Sequence, residues 1–207
     1  MKFEITQSPN SYLILDLNKH EKIIIEKGCL IYSDGEYGFK NKIEVKSYKN
    51  FISKIFGGKS LTYNVYTANE EMKMAFSAKD TAEIFSLEID EQHPIFFYGS
   101  QHFARTENIE IKLGGPSQEF LLKAKGSGTL FLKVYGKLIE KLIDSNKPIY
   151  VDEDALIAFE EGVEFDWITG GIKKLITSGD GGLLSLNGNG KGKVWIQSRE
   201  KVEYKKD

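Results

Sequence analysis

No stretch of the 207 residues keeps a clean helical period over the length of an ordinary helix, and this constrains the fold more than any single motif. The chain is a succession of short apolar runs bounded by Gly, Pro, Asp or Asn. "KIIIEKGCLIY" (22–32) is rich in branched residues, which favour a pleated backbone. "SLTYNVYTA" (60–68) alternates Leu61, Tyr63 and Val65 with Thr62, Asn64 and Tyr66. "PIFFYGS", "NIEIKLG", "EFLLKAKG", "GTLFLKVYGKL", "PIYVDED", "GVEFDWITG" and "KVWIQS" have the same character. Twenty glycines supply turns and only four prolines interrupt. "GKLIEKLIDSN" (136–146) comes nearest to a helical face, through Leu138, Ile139, Leu142 and Ile143, but its neighbours are strands and it reads as strand too. "SYKNFISKIFGGKS" (47–60) is expected to hold one short helix or turn. The pattern is all-β.

Internal similarity sharpens this reading. "PIFFYGSQHFARTENIEIK" (94–112) lies over "PIYVDEDALIAFEEGVEFD" (148–166) at a constant offset, since 148 − 94 and 158 − 104 both equal 54. Pro94 meets Pro148, Ile95 meets Ile149, and Ala104 meets Ala158. "KIIIEKGCLIYSDGEYGFK" (22–40) fits the same frame 72 residues earlier, with Ile23 on Ile95 and Phe39 on Ile111. A second unit pairs "QEFLLKAKGSGTLFLKVYG" (118–136) with "GGLLSLNGNGKGKVWIQSR" (181–199), placing Gly126 and Gly128 over Gly190 and Gly192. "SLTYNVYTANEEMKMAFSA" (60–78) is its weaker copy. The expected organisation is a single all-β unit over 1–207 built of repeated β-sandwich lobes, approximately 22–90, 94–144 and 148–200.

The formal charge of −2 gives no net pull toward nucleic acid or anionic lipid. Arg105 and Arg199 are the only arginines, which counts against a phosphate-reading surface, so nucleic acid is not the expected partner. Cys29 is the lone cysteine, flanked by Gly28 and apolar residues, and reads as a buried structural thiol. "MKFEITQSPNSYLILDLN" has neither the apolar core nor the cleavage site of a signal peptide. No apolar run reaches the roughly 18 residues of a membrane helix. A cytoplasmic location without a membrane span is expected.

The chemical motifs fail one by one. "GNGKGKVWIQS" (188–198) lacks the spacing of a phosphate-binding loop: Val194 follows Lys193, Asn187 stands where a glycine is needed, and a β run follows instead of a helix. Its counterpart "GSG" (126–128) carries no lysine, so the glycines read as turn geometry and Lys191 as a solvated turn residue. His20, His93 and His102 are the only histidines and show no His-x-His spacing. No G-x-S-x-G occurs, and the acid pairs at 152–154 and 160–161 fall in turns. No catalytic residue, cofactor or metal is expected. One feature stands apart. In "KVWIQSR" the strand presents Trp195, Gln197 and Arg199 on one side and Val194, Ile196 and Ser198 on the other, and both sides of "GTLFLKVYG" are bulky too. Such strands need a second layer: a neighbouring lobe by preference, otherwise another subunit or a ligand. Trp195, Gln197 and Arg199 are the candidate interaction face.

"GGKSLTYNVYTA", "GSGTLFLKVYGKL", "PIYVDEDALIAFEEGVEFDW" and "GDGGLLSLNGNGKGKVWIQSR" together resemble the altered-inheritance-of-mitochondria (AIM) family over about residues 24–200. Asp180 departs from the Gly-Glu-Gly usual there. The resemblance implies a fold like that of the tryptophan RNA-binding attenuation protein (TRAP-like), a shortened double-stranded β-helix type, and brings no catalytic residue with it. Fungal members of that family are mitochondrial and support inner-membrane organisation. The resulting expectation is a non-enzymatic homo-oligomer that binds or scaffolds proteins. The alternatives are a small-ligand or RNA-binding module on Trp195, Gln197 and Arg199, and a metal-dependent cupin-like enzyme using His93 and His102.

Overall fold

The structure is a computed structural model that describes residues 1–6, 11–43, 62–114, 121–144, 147–167, 183–188 and 191–200. The described residues form strands and two short 3-10 turns, with no α-helix, as the short bounded runs require. The short helix or turn expected at 47–60 lies outside them. The chain divides into two compact units, Met1–Val134 and Tyr135–Asp207.

The first unit opens with β1 (Lys2–Ile5) and continues with β2 (Tyr12–Leu17), β3 (Lys22–Glu26), β4 (Leu30–Ser33), β5 (Tyr37–Ile43), β6 (Thr62–Ala68) and β7 (Met72–Ser77). It goes on with β8 (Glu83–Ile89), β9 (Ile95–Phe97), a 3-10 turn at Gly99–Gln101, β10 (His102–Thr106), β11 (Ile109–Leu113), β12 (Leu122–Gly126) and β13 (Gly128–Val134). Hydrogen bonding orders these as β1-β2-β7-β4, β5-β6-β3-β10-β13-β8 and β11-β12-β9. The second unit contains β14 (Leu138–Asp144), β15 (Ile149–Asp152), a 3-10 turn at Glu153–Ala155, β16 (Leu156–Glu160), β17 (Val163–Trp167), β18 (Leu183–Gly188) and β19 (Lys191–Gln197). Its strands run β16-β19-β14 and β15-β18-β17.

After β1, the ladders repeat three times in the same register. In β4 against β7, Leu30 opposes Phe76 and Tyr32 opposes Ala75, with a bulge between them. In β10 against β13, His102 opposes Leu132 and Ala104 opposes Phe131, with the same bulge. In β16 against β19, Leu156 opposes Ile196 and Ala158 opposes Trp195, again across a bulge. Ile23, Ile95 and Ile149 likewise oppose Tyr66, Ala124 and Leu186. The three sets of six strands therefore begin at Tyr12, Glu83 and Leu138: the second and third each start with the strand that the sequence reading placed at the end of the preceding lobe, and the first starts ahead of the first lobe. Within a set, the first, sixth and third strands form one face and the fourth, fifth and second the other. A six-strand unit with one face apolar on each layer buries both only by closing as a sandwich.

The core of the first unit shows the period-2 logic directly. Leu13, Leu15 and Leu17 of β2, Met72, Met74 and Phe76 of β7, and Ile23 and Ile25 of β3 pack together with Tyr66, Ala104 and Phe131. From Thr129 to Val134, β13 is buried at every position, so it is covered on both faces, and its near-continuous hydrophobic sequence reflects that. β14 is the opposite case: every position except Ile143 is exposed.

The glycine alignment needs one adjustment. Gly126 pairs with Ile109 and Gly188 pairs with Val163, so Gly188, rather than Gly190, answers Gly126. Gly128 and Gly192 remain equivalent, opposite Ile89 and Ile143. Gly126 and Gly128 do hold positive φ, +125° and +152°. Gly192 is needed for another reason: a Cβ there would lie 2.5 Å from Val163 Cγ2.

Candidate functional site

The side chains read as an interaction face do not form one exposed surface. On β19, Trp195 is 5% exposed and Gln197 4% exposed, and only Arg199, just past the strand, reaches solvent. Trp195 donates its indole N–H to Glu140 Oε2 on β14 at 3.0 Å. Gln197 Oε1 accepts the Tyr135 N–H at 3.1 Å, and its Nε2 donates to the Asp154 carbonyl at 2.7 Å. The glutamine thus satisfies one backbone donor and one backbone acceptor that no ladder serves, which is why a polar side chain is tolerated in the interior. Val194, on the other side of the strand, is also fully buried. Both sides of β19 are covered, as two bulky faces require.

A polar group that sequence reasoning missed lies in the first unit. Arg105 is 0% exposed, with His102 and Tyr63 at 2% each. The β10 bulge assembles them. His102 opposes Leu132 and Arg105 opposes Leu130, and Leu130 and Leu132 share a face, so two residues three apart point the same way. Ile24 opposes both Arg105 and Val65, which puts Tyr63, two residues from Val65, on that face as well. The Arg105 guanidinium carbon sits 5.5 Å from the Tyr63 ring centre, within cation–π range. The Tyr63 and His102 ring centres are 4.4 Å apart. Arg105 Nε donates to the Ile109 carbonyl at 3.0 Å, and Nη1 approaches His102 Nε2 at 3.4 Å. Because Arg can only donate, Nε2 is the acceptor and the neutral imidazole carries its proton on Nδ1. Burial, then the charges of Arg105 and Lys133, hold the His102 pKa well below the usual histidine range.

The fold does not need these polar groups. At the register of His102 the other sets carry Leu30 and Leu156, and at that of Arg105 they carry Ser33 and Phe159. Tyr63, one position before Asn64 opposite Ile25, answers to Leu121 and Leu183, one position before Leu122 and Leu184. The cluster holds a permanent cation, a neutral imidazole and an aromatic face in an apolar interior. Those groups suit a hydrogen-bond acceptor or an anion and include no nucleophile. The signal was present in the sequence as mismatches in the 54-residue alignment, His102 over Leu156 and Arg105 over Phe159.

The remaining reactive groups are scattered. Cys29 is buried, and burial followed by the Glu26 charge pushes its thiol up to about 12. His93 is exposed and bonds Asp90 at 2.8 Å, and that bond lowers the Asp90 pKa. The two histidines considered for a metal site are thus one exposed and one buried. Lys133, 7% exposed, is paired with Glu26 at 2.8 Å. Asp152, Asp154 and Glu200 bring carboxylate oxygens within 4.8 Å of one another. The Lys191 side chain lies outside the described residues.

The comparisons with known proteins agree with the architecture. The family model of AIM24, mitochondrial biogenesis, matches residues 3–199. A solved structure of a Streptococcus pyogenes protein from a structural genomics programme superposes with a TM-score of 0.73 at 17% identity, covering 96% of this chain and 94% of that one. At that identity the likeness shows the fold alone. No functionally curated protein matches the chain. With the family model spanning nearly the whole sequence over a repeated all-β fold, the chain belongs to the AIM24 family.

Proposed function

We propose that this chain is a non-enzymatic, homo-oligomeric β protein that serves as a protein-interaction or scaffolding module in the cytoplasm. The observation that carries the reading is β14, an edge strand whose Leu138, Ile139 and Leu142 are 38%, 39% and 62% exposed. Exposed apolar side chains grouped on one strand favour contact with another protein over solvent. The absence of catalysis is supported by how the reactive residue types are used: Cys29 is buried with a raised pKa, and His102 is buried beside a cation. Among the described residues no helix is long and apolar enough to cross a membrane. Light scattering coupled to size exclusion at low concentration tests the oligomer. A mass above the 23.4 kDa chain supports it, and a strict monomer sinks it.

A second reading, a small-ligand or RNA-binding module on a TRAP-like fold, has its own support. Ile24 and Val65 line a groove of about 840 Å³ together with Lys40, Lys42 and Lys22, the last paired with Glu107 of the same groove at 2.6 Å. Titration with metabolites and short oligonucleotides, read by tryptophan fluorescence and by anisotropy of labelled strands, tests it. Silence across both panels counts against it.

A further inference from the structure

We propose that β14 is the surface through which two copies of this chain pair, edge to edge and antiparallel, in a closed two-fold dimer. The inference rests on the homo-oligomer reading above and names its contact.

The argument comes from the three equivalent first strands. Leu17, Ile89 and Ile143 oppose Met72, Gly128 and Gly192 at the same register, so Tyr12, Ile84 and Leu138 correspond. In the first set the outer edge of this strand is occupied. β1 lies antiparallel along β2, with Lys2 opposite Asp16 and Glu4 opposite Ile14, and the Thr6 N–H donates to the Tyr12 carbonyl at 3.0 Å. In the second set the edge is blunted by a side chain: Ser11 Oγ accepts the Ile84 N–H at 2.6 Å, and Glu83 accepts the Ser11 N–H at 3.2 Å. In the third set β14 ladders only with β19 among the described residues. The same six-strand unit therefore takes an antiparallel strand on this edge where one is supplied, and among the described residues β14 presents the edge without one. An open strand edge is a template for pairing.

The occupied edge also gives the register. Tyr12, Ile14 and Asp16 turn their backbone groups toward β1, so Leu138, Glu140 and Leu142 turn theirs outward. A second β14 placed across a two-fold at Glu140 sets Leu138 opposite the second copy's Leu142, and Leu142 opposite its Leu138. Three hydrogen-bonding pairs form, as between β1 and β2. The carboxylates that meet on the axis are each already engaged, by Trp195 Nε1 at 3.0 Å and Lys193 Nζ at 3.1 Å, which limits their repulsion. Sliding the register by two residues, which moves the two-fold to Lys141, instead faces Leu142 with Glu140 and Lys141 with itself. A contact of this kind uses one patch on both partners and closes after two copies.

Three variants of the full chain test this. Leu142→Pro removes an outward N–H and leaves the β19 ladder intact. It is expected to shift the light-scattering mass from about twice 23.4 kDa to 23.4 kDa with an unchanged circular dichroism spectrum. Leu138→Lys with Leu142→Lys, at exposed positions, is expected to do the same without touching the backbone. Glu140→Cys falls on the two-fold, where Cα atoms about 5.5 Å apart lie within disulfide reach. Mild oxidation is expected to give a covalent dimer, and Ser198→Cys is not. If Leu142→Pro misfolds, the lysine pair and the crosslink decide. A dimer that survives the lysine pair and yields no Glu140→Cys crosslink overturns this edge while leaving the oligomer reading standing. A wild-type monomer overturns both.

Discussion

Gly128 sits at φ +152°, and a Cβ there would lie 2.0 Å from Thr106 Oγ1, so the residue is fixed by conformation and by space together. Gly128→Ala is expected to cost about 2–5 kcal/mol in urea unfolding, from a disfavoured dihedral and an overpacked contact. Gly38, with nothing within 4 Å of its would-be Cβ, is the control, and Gly38→Ala is expected to stay within about 0.5 kcal/mol. At the same scale, His102 makes stability depend on pH. Its folded pKa lies well below the usual histidine range, so the unfolded chain binds the proton first. Its contribution to stability is complete above the unfolded pKa and is lost as pH falls below it toward the folded value, at up to about 1.4 kcal/mol per pH unit. His102→Leu, which installs the residue found at 30 and 156, is expected to flatten that slope by one proton's worth in denaturation series run from pH 7 to pH 4.5.

The element that changes most between sequence and structure is β19. Its alternation was legible, and so was the need for layers on both sides. Which layers lie there was not, because a strand's period says that two faces exist and nothing about what covers them. Trp195 and Gln197 are interior groups with fixed partners, and Arg199 is at the surface. Gln197→Ala is accordingly expected to destabilise the protein by about 2–4 kcal/mol, since the Tyr135 N–H and the Asp154 carbonyl both lose their partner. Arg199→Ala is expected to stay within about 0.5 kcal/mol. Thermal melts of the two variants distinguish this arrangement from a solvent-facing site, for which both changes would be mild. β14 was equally ambiguous: Leu138, Ile139, Leu142 and Ile143 nearly fit a helical face, and only the ladder with β19 makes it a strand.

For the molecule as a whole, three sets of six strands carry the same registers with different tolerances for polarity. Phe159 and Leu156 show that the sandwich accepts apolar residues where Arg105 and His102 stand. The double substitution Arg105→Phe with His102→Leu is therefore expected to fold cooperatively with stability near or above the parent, because an apolar replacement of a buried charge removes its desolvation cost. Arg105→Ala alone is expected to cost about 3–5 kcal/mol, from the cavity and from polar groups stranded without their donor. Paired urea and thermal unfolding curves check both. A destabilised double variant would mean that the polar cluster is part of the scaffold and not an addition to it.

The amino-acid sequence determined the class of fold and its periodicity. Branched residues, alternation and glycine-bounded runs leave a chain of this length little choice but layered β-structure, and a constant 54-residue offset aligned the second to fourth strands of two sets. Those are local properties, written in spacing. The tertiary structure decided everything that depends on which residues share a space. It turned Gly192 from a turn residue into a packing requirement beside Val163. It buried Trp195 and gathered Tyr63, His102 and Arg105 through a bulge that shifts the face of a strand by one residue. It also set three equivalent edges apart: β1 covers β2 and Ser11 blunts β8, while β14 has no such neighbour among the described residues. Contacts between residues tens of positions apart are set by the packing of layers, and no spacing within one strand encodes them.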